Sequence, residues 1–104
     1  MIYELRTYTL KVGKMQEALQ VYQEKATPFL ERSSDHLVGY FLGDVGAMNQ
    51  IIHVWKYQDD GERRAFWERT FADADFQAFA AEFRPLVLTQ ENKLMVNAPW
   101  GPKP

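Results

Sequence analysis

An α+β fold in the order β-α-β-β-α-β is what this chain predicts, on three observations. Stretches rich in β-branched and aromatic residues open the chain, recur as a pair in its middle and close it. Two segments with apolar residues at three- and four-residue spacings lie between them. The short link between the two middle strands favours an antiparallel hairpin. This order is the split βαβ arrangement of the ferredoxin-like fold, a four-stranded antiparallel sheet with both helices on one face.

The first strand is Ile2 to Thr9. Its two sides carry Ile2, Glu4, Arg6 and Tyr8 on one and Tyr3, Leu5, Thr7 and Thr9 on the other. Lys11 to Lys14 makes the turn, and a helix starts at about Lys14 with Met15, Ala18, Leu19, Tyr22, Ala26, Phe29 and Leu30 along one stripe. Pro28 predicts a kink or break late in it. The second strand spans His36 to Leu42, Gly43 to Gly46 turns the chain, and the third strand runs from Asn49 to Tyr57.

Asp59 with Glu62 resembles a capping box at the start of the second helix. Phe66, Trp67 and Phe71 form its buried stripe. Ala72 to Asp75 interrupts it, and these aspartates suit the cap of a continuation carrying Phe76, Phe79, Ala80 and Phe83 until Pro85 ends it. Leu86 to Leu88 is short and extended, and Glu91 to Ala98 is the last strand. Residues 1–98 then form the domain. Residues 99–104 are a Pro-rich tail whose Trp100 gives it a reason to dock.

A sheet wetted on one face should alternate between apolar and polar residues, and the second and third strands do not. Leu37, Gly39 and Phe41 oppose Val38, Tyr40 and Leu42, while Ile51, His53, Trp55 and Tyr57 oppose Gln50, Ile52, Val54 and Lys56. Helices cover one face only. The other is expected to meet a second copy in a homodimer joined through the sheet face.

Composition agrees and excludes several chemistries. The 104 residues include 7 Phe, 5 Tyr and 3 Trp, a rich aromatic supply for one small core. The absence of cysteine removes disulfides, thiolate nucleophiles and Cys-based metal sites. A net charge of −2, with no basic half, argues against nucleic acid as a partner. No apolar run approaches a membrane span, and no signal-peptide pattern opens the chain, so a cytoplasmic protein is the expectation. His36 and His53 lie on different strands without carboxylates at ligand spacing, so no metal is expected. No phosphate or dinucleotide loop is present, and no cofactor is expected.

Met1 to Lys14, Asn49 to Tyr57 with Asp60 and Arg63 or Arg64 after it, and Asp75-Phe76 resemble the corresponding parts of the NIPSNAP family. The likeness runs from Met1 to about Val96, and it departs where the family usually has Asp-Pro-Trp. It implies a dimeric α+β barrel and no particular activity. The wider group of such barrels includes cofactor-free monooxygenases, haem-degrading enzymes and lactone isomerases. That is likeness of fold, which does not fix function.

His53 is the one histidine inside a central strand, either a general base or a core residue hydrogen-bonded to a neighbour. Trp55 and Tyr57 share its side and offer an aromatic wall to a small apolar or aromatic ligand, or simply pack the core. Arg6 and Tyr8 lie together on the first strand, and Arg6 suits either Glu4 or a ligand's carboxylate or phenolate. Three readings follow: a dimeric small-molecule-binding or regulatory domain, a cofactor-independent monooxygenase or isomerase with His53 as base, and a structural self-association module. A cavity of several hundred Å³ beside His53 separates the first two from the third.

Overall fold

Ile2–Leu10 forms β1, an inner strand, because its aromatic and branched side chains tolerate a pleated, half-buried surface. The computed structural model describes residues 1–104 and orders the sheet β2-β3-β1-β4, with β2 at Leu37–Leu42, β3 at Gln50–Tyr57 and β4 at Val87–Val96. All three strand pairs are antiparallel. Helices α1 (Met15–Val21), α2 (Thr27–Arg32), α3 (Asp60–Ala72) and α4 (Ala74–Phe83) cover one face, giving a slab 40 × 35 × 19 Å. No helix is long and apolar enough to cross a membrane.

The expected break in the first helix takes a specific form. A π-helical turn, Tyr22–Ala26, separates α1 from α2, and Pro28 sits in the first turn of α2. Proline has no N–H to give and crowds the carbonyl four residues back, so the chain widens ahead of it. The Asp59 side chain caps α3 by accepting from the Glu62 N–H at 2.8 Å. Glu62 reaches back to the Gln58 N–H at 2.6 Å, one residue before the usual capping-box partner. Asp73 caps α4 through the Asp75 N–H at 2.8 Å. Asp60 holds Arg63 at 2.8 Å and Arg64 at 2.6 Å, relieving two cations at a helix N-terminus.

Three expectations are corrected. β4 starts at Val87 rather than Glu91, because β1 pairs along its whole length and bulges past Leu88. In β2, Leu37 faces Trp55 while Gly39 faces Val54, so a bulge turns Leu37 to the same side as Tyr40. Phe71 is not part of the buried stripe but 48% exposed, at the last turn of α3.

The core lies between sheet and helices in two parts. Leu10, Ile51, Phe29, Phe79 and Phe83 belong to the larger, and Trp55, Tyr57, Phe66 and Trp67 to the smaller. On the opposite side of the sheet, register groups Leu5 with Val54, and Phe41 with Ile52. Phe41 there is 56% exposed. The accessible surface is 6722 Å², about a tenth above the roughly 6,100 Å² scaled from its mass. Lys56 Nζ donates to the Pro104 carbonyl at 3.1 Å, which ties the tail to the sheet, while Trp100 stays 89% exposed.

Candidate functional site

Period-two alternation and antiparallel register bring Glu4, Arg6 and Tyr8 of β1 beside Trp55, His53 and Ile51 of β3, on the helix-covered side. Tyr40 of β2 stands on the other flank of His53. The His53 ring is stacked between Tyr40 (centroids 4.4 Å, planes 10° apart) and Tyr8 (5.2 Å, 3°). Above this row lies a cavity of about 330 Å³. Tyr22 from the π-helical turn, Trp67 from α3 and Phe79 and Phe83 from α4 close it. Its exposed margin is Phe71, Arg84 and Gln90, between the α3–α4 junction and β4.

A buried polar cluster fixes the floor. Glu4 is fully buried and Arg6 is 7% exposed. Glu4 Oε1 accepts from the Trp67 indole N–H at 2.8 Å and from the Tyr57 hydroxyl at 3.5 Å. Its Oε2 accepts from Arg6 Nη1 at 3.2 Å, and Arg63 Nη1 lies 3.8 Å away. Arg6 also donates from Nε and Nη2 to the Tyr8 hydroxyl, at 3.2 and 2.9 Å. Its guanidinium lies 4.2 Å from the Trp67 ring centroid, a cation–π contact sheltered from water. Burying one charge is tolerable only when it is paired and hydrogen-bonded, as here.

His53 meets a different arrangement from the general base the sequence allowed. The Trp55 indole N–H donates to His53 Nδ1 at 2.5 Å. The Nδ1 lone pair is thereby committed, so in the neutral ring the proton sits on Nε2. Burial first, and then the Arg6 charge, hold the His53 pKa down to about 3. The ring therefore enters the cavity wall neutral and as a donor. Its Nε2 is buried without a protein partner. Burial likewise pushes the Tyr22 and Tyr40 phenols up, so both keep their protons.

Arg6, Tyr8, His53 and Trp55 thus line one cavity, and Tyr57 does not. Tyr57 packs in the smaller core under Phe66, and burial with the Glu4 charge raises its pKa. Sequence reasoning missed Tyr22, Tyr40, Trp67 and Arg84 as site residues. A hydroxyl tip within an apolar stripe was the available signal for Tyr22. Tyr40 needed the hairpin register that pairs it with His53.

The NIPSNAP family model matches residues 3–102. The human protein NipSnap homolog 3A is 32% identical over 100 residues, covering 94% of this chain and 40% of that protein. The chain therefore spans well under half the length of that curated relative. A crystal structure of a NIPSNAP family protein with unknown function from Agrobacterium tumefaciens is 33% identical, with a TM-score of 0.90 over 98% of this chain and 92% of that one. An antibiotic biosynthesis monooxygenase superposes with a TM-score of 0.67 over 95% of this chain and 100% of that one. At 16% identity it shares the fold alone.

Proposed function

The chain belongs to the NIPSNAP family, and from that premise we propose that it is a small-molecule-binding domain that works as a homodimer. The observation that carries this reading is the cavity of about 330 Å³ lined by His53, whose Nε2 is buried without a partner. A protein interior is close-packed, and a buried donor without an acceptor costs about 1–3 kcal/mol. A void and an orphan donor together are stability given up at one place. A ligand that fills the void and accepts the hydrogen bond restores it. The volume falls at the small end of the roughly 300–1,000 Å³ range of ligand pockets.

Binding is favoured over catalysis by the state of His53. A base needs a free lone pair, and Trp55 holds the one available. The π-helical turn that delivers Tyr22 to the cavity also fits a binding role, since such turns recur at functional sites. The homodimer is supported by the open sheet face and by the surplus surface. A cytoplasmic setting accords with the lack of a membrane-crossing helix and is part of the same proposal.

Small aromatic compounds, screened by thermal denaturation, test the pocket. A compound that binds only the native chain raises the melting temperature with concentration. The variant Ala80→Leu places extra volume at a cavity-lining position and should abolish the shift. Shifts that survive Ala80→Leu unchanged would put the ligand elsewhere and overturn the reading.

A further inference from the structure

Resting on that pocket, we propose that its ligand is a small planar aromatic anion, one or two rings bearing a carboxylate or phenolate oxygen. The charge lining the cavity is one-sided: Arg6 and Arg84 contribute to its wall and no aspartate or glutamate does. The carboxylate that neutralises Arg6 belongs to Glu4, which lies outside the lining and has Arg63 at 3.8 Å as well. Arg63 has its closer partner in Asp60 at 2.8 Å, so Glu4 balances Arg6 and the cavity's uncompensated charge is that of Arg84. Arg84 has no acidic partner within ion-pair distance and stands at the margin, where it meets an incoming anion first.

The hydrogen-bonding inventory is equally one-sided. Of the five N–H groups of a guanidinium, Arg6 uses one each at Nε, Nη1 and Nη2, leaving one on each terminal nitrogen. His53 adds its Nε2–H, and of the two phenols Tyr22 donates to Tyr40, which leaves the Tyr40 hydroxyl proton to give. The cavity offers donors and lacks charged acceptors. An oxygen carrying negative charge is the complement.

The walls choose the rest of the molecule. Tyr8, His53 and Tyr40 spend their ring faces on one another, so the row turns its edges to the cavity. Ring edges are the positive part of the aromatic quadrupole and favour an electron-rich partner. Phe79 and Phe83, stacked at 16°, add an apolar wall, Phe83 meeting Tyr8 edge to face at 5.5 Å. A flat ring with one anionic edge satisfies both surfaces.

Three probes of one shape separate the alternatives by calorimetry on the full chain: 2-naphthoate, its neutral amide 2-naphthamide, and the cation 2-naphthylmethylamine. The expected result is 2-naphthoate binding at least tenfold tighter than the amide, with the amine weakest. Arg84→Gln, an exposed position, should weaken 2-naphthoate several-fold and leave the amide unchanged. The paired change Glu4→Gln with Arg6→Gln removes both buried charges together and should shrink the preference for the anion to the several-fold share that Arg84 supplies. Binding of the amide or amine equal to that of 2-naphthoate overturns the anion and leaves the pocket standing. Binding by none of the three, nor by 2-naphthol above its phenol pKa, overturns the pocket and the anion together.

Discussion

The indole N–H of Trp55 donates to Nδ1 of His53 across 2.5 Å, between side chains two residues apart on one face of β3. That single contact decides which nitrogen carries the histidine proton. Nitrogen-15 NMR of the imidazole at neutral pH should show the Nε2–H tautomer. Trp55→Phe removes the donor and should bring the Nδ1–H form into the spectrum. A wild-type ring already in the Nδ1–H form would refute the assignment.

The low pKa of His53 has a thermodynamic sign. The folded chain holds the ring neutral down to about pH 3, while an unfolded chain protonates it near 6.5. Between those values the unfolded state binds the extra proton, so the His53 contribution is complete above pH 6.5 and is lost as pH falls. The slope approaches about 1.4 kcal/mol per pH unit inside that window. Urea titrations from pH 7 to 4 should show it, and His53→Phe should flatten the curve there while Asp and Glu effects below pH 4 persist.

Much of this was legible from sequence, and the gaps have physical causes. Strand order, both aspartate caps and the Glu4–Arg6 pair follow from local chemistry: alternation, cap geometry and charge spacing. The β2 bulge does not, because it is set by how Leu37 and Tyr40 together reach the helix side. Tyr57 shares a strand face with His53, yet α3 lies over one end of that face and leaves the cavity over the other. Period two names a face and not what covers it. The protonation of His53 required the Trp55 distance, which no spacing supplies.

Glu4 is the keystone of the buried cluster, accepting from Trp67, Tyr57 and Arg6 with no exposure. Glu4→Ala strands the Arg6 charge in the interior and should cost about 3–5 kcal/mol. Glu4→Gln keeps an acceptor for Trp67 and should cost less. Pairing it with Arg6→Gln should recover part of the loss, because two neutral amides need less solvation than one unpaired guanidinium. Denaturant midpoints read all three. A loss under 1 kcal/mol for Glu4→Ala would show that water reaches the cluster.

At the start of α3, Asp59 accepts the Glu62 N–H at 2.8 Å from an extended backbone. Asp59→Ala removes that acceptor and should cost about 0.5–2 kcal/mol. Asp59→Asn keeps an acceptor oxygen and should retain most of the stability. Equal losses for the two would mean the charge on the helix dipole matters more than the cap.

The open sheet face yields the expectation with the widest consequence. Leu5 and Val54 pair across β1 and β3, and Phe41 and Ile52 across β2 and β3, with no helix over any of them. Apolar side chains on both sides of one sheet are found where both sides are covered. A second sheet, packed about 10 Å away, is the simplest cover and makes the contact symmetric. Sedimentation equilibrium at micromolar concentration should therefore give twice the 12.2 kDa chain mass. Val54→Lys sets a charge at the centre of that contact, and a symmetric interface meets each such charge twice. The variant should sediment at 12.2 kDa with its strand signal in circular dichroism retained. A wild-type chain that sediments as the monomer would leave the face uncovered and refute the homodimer.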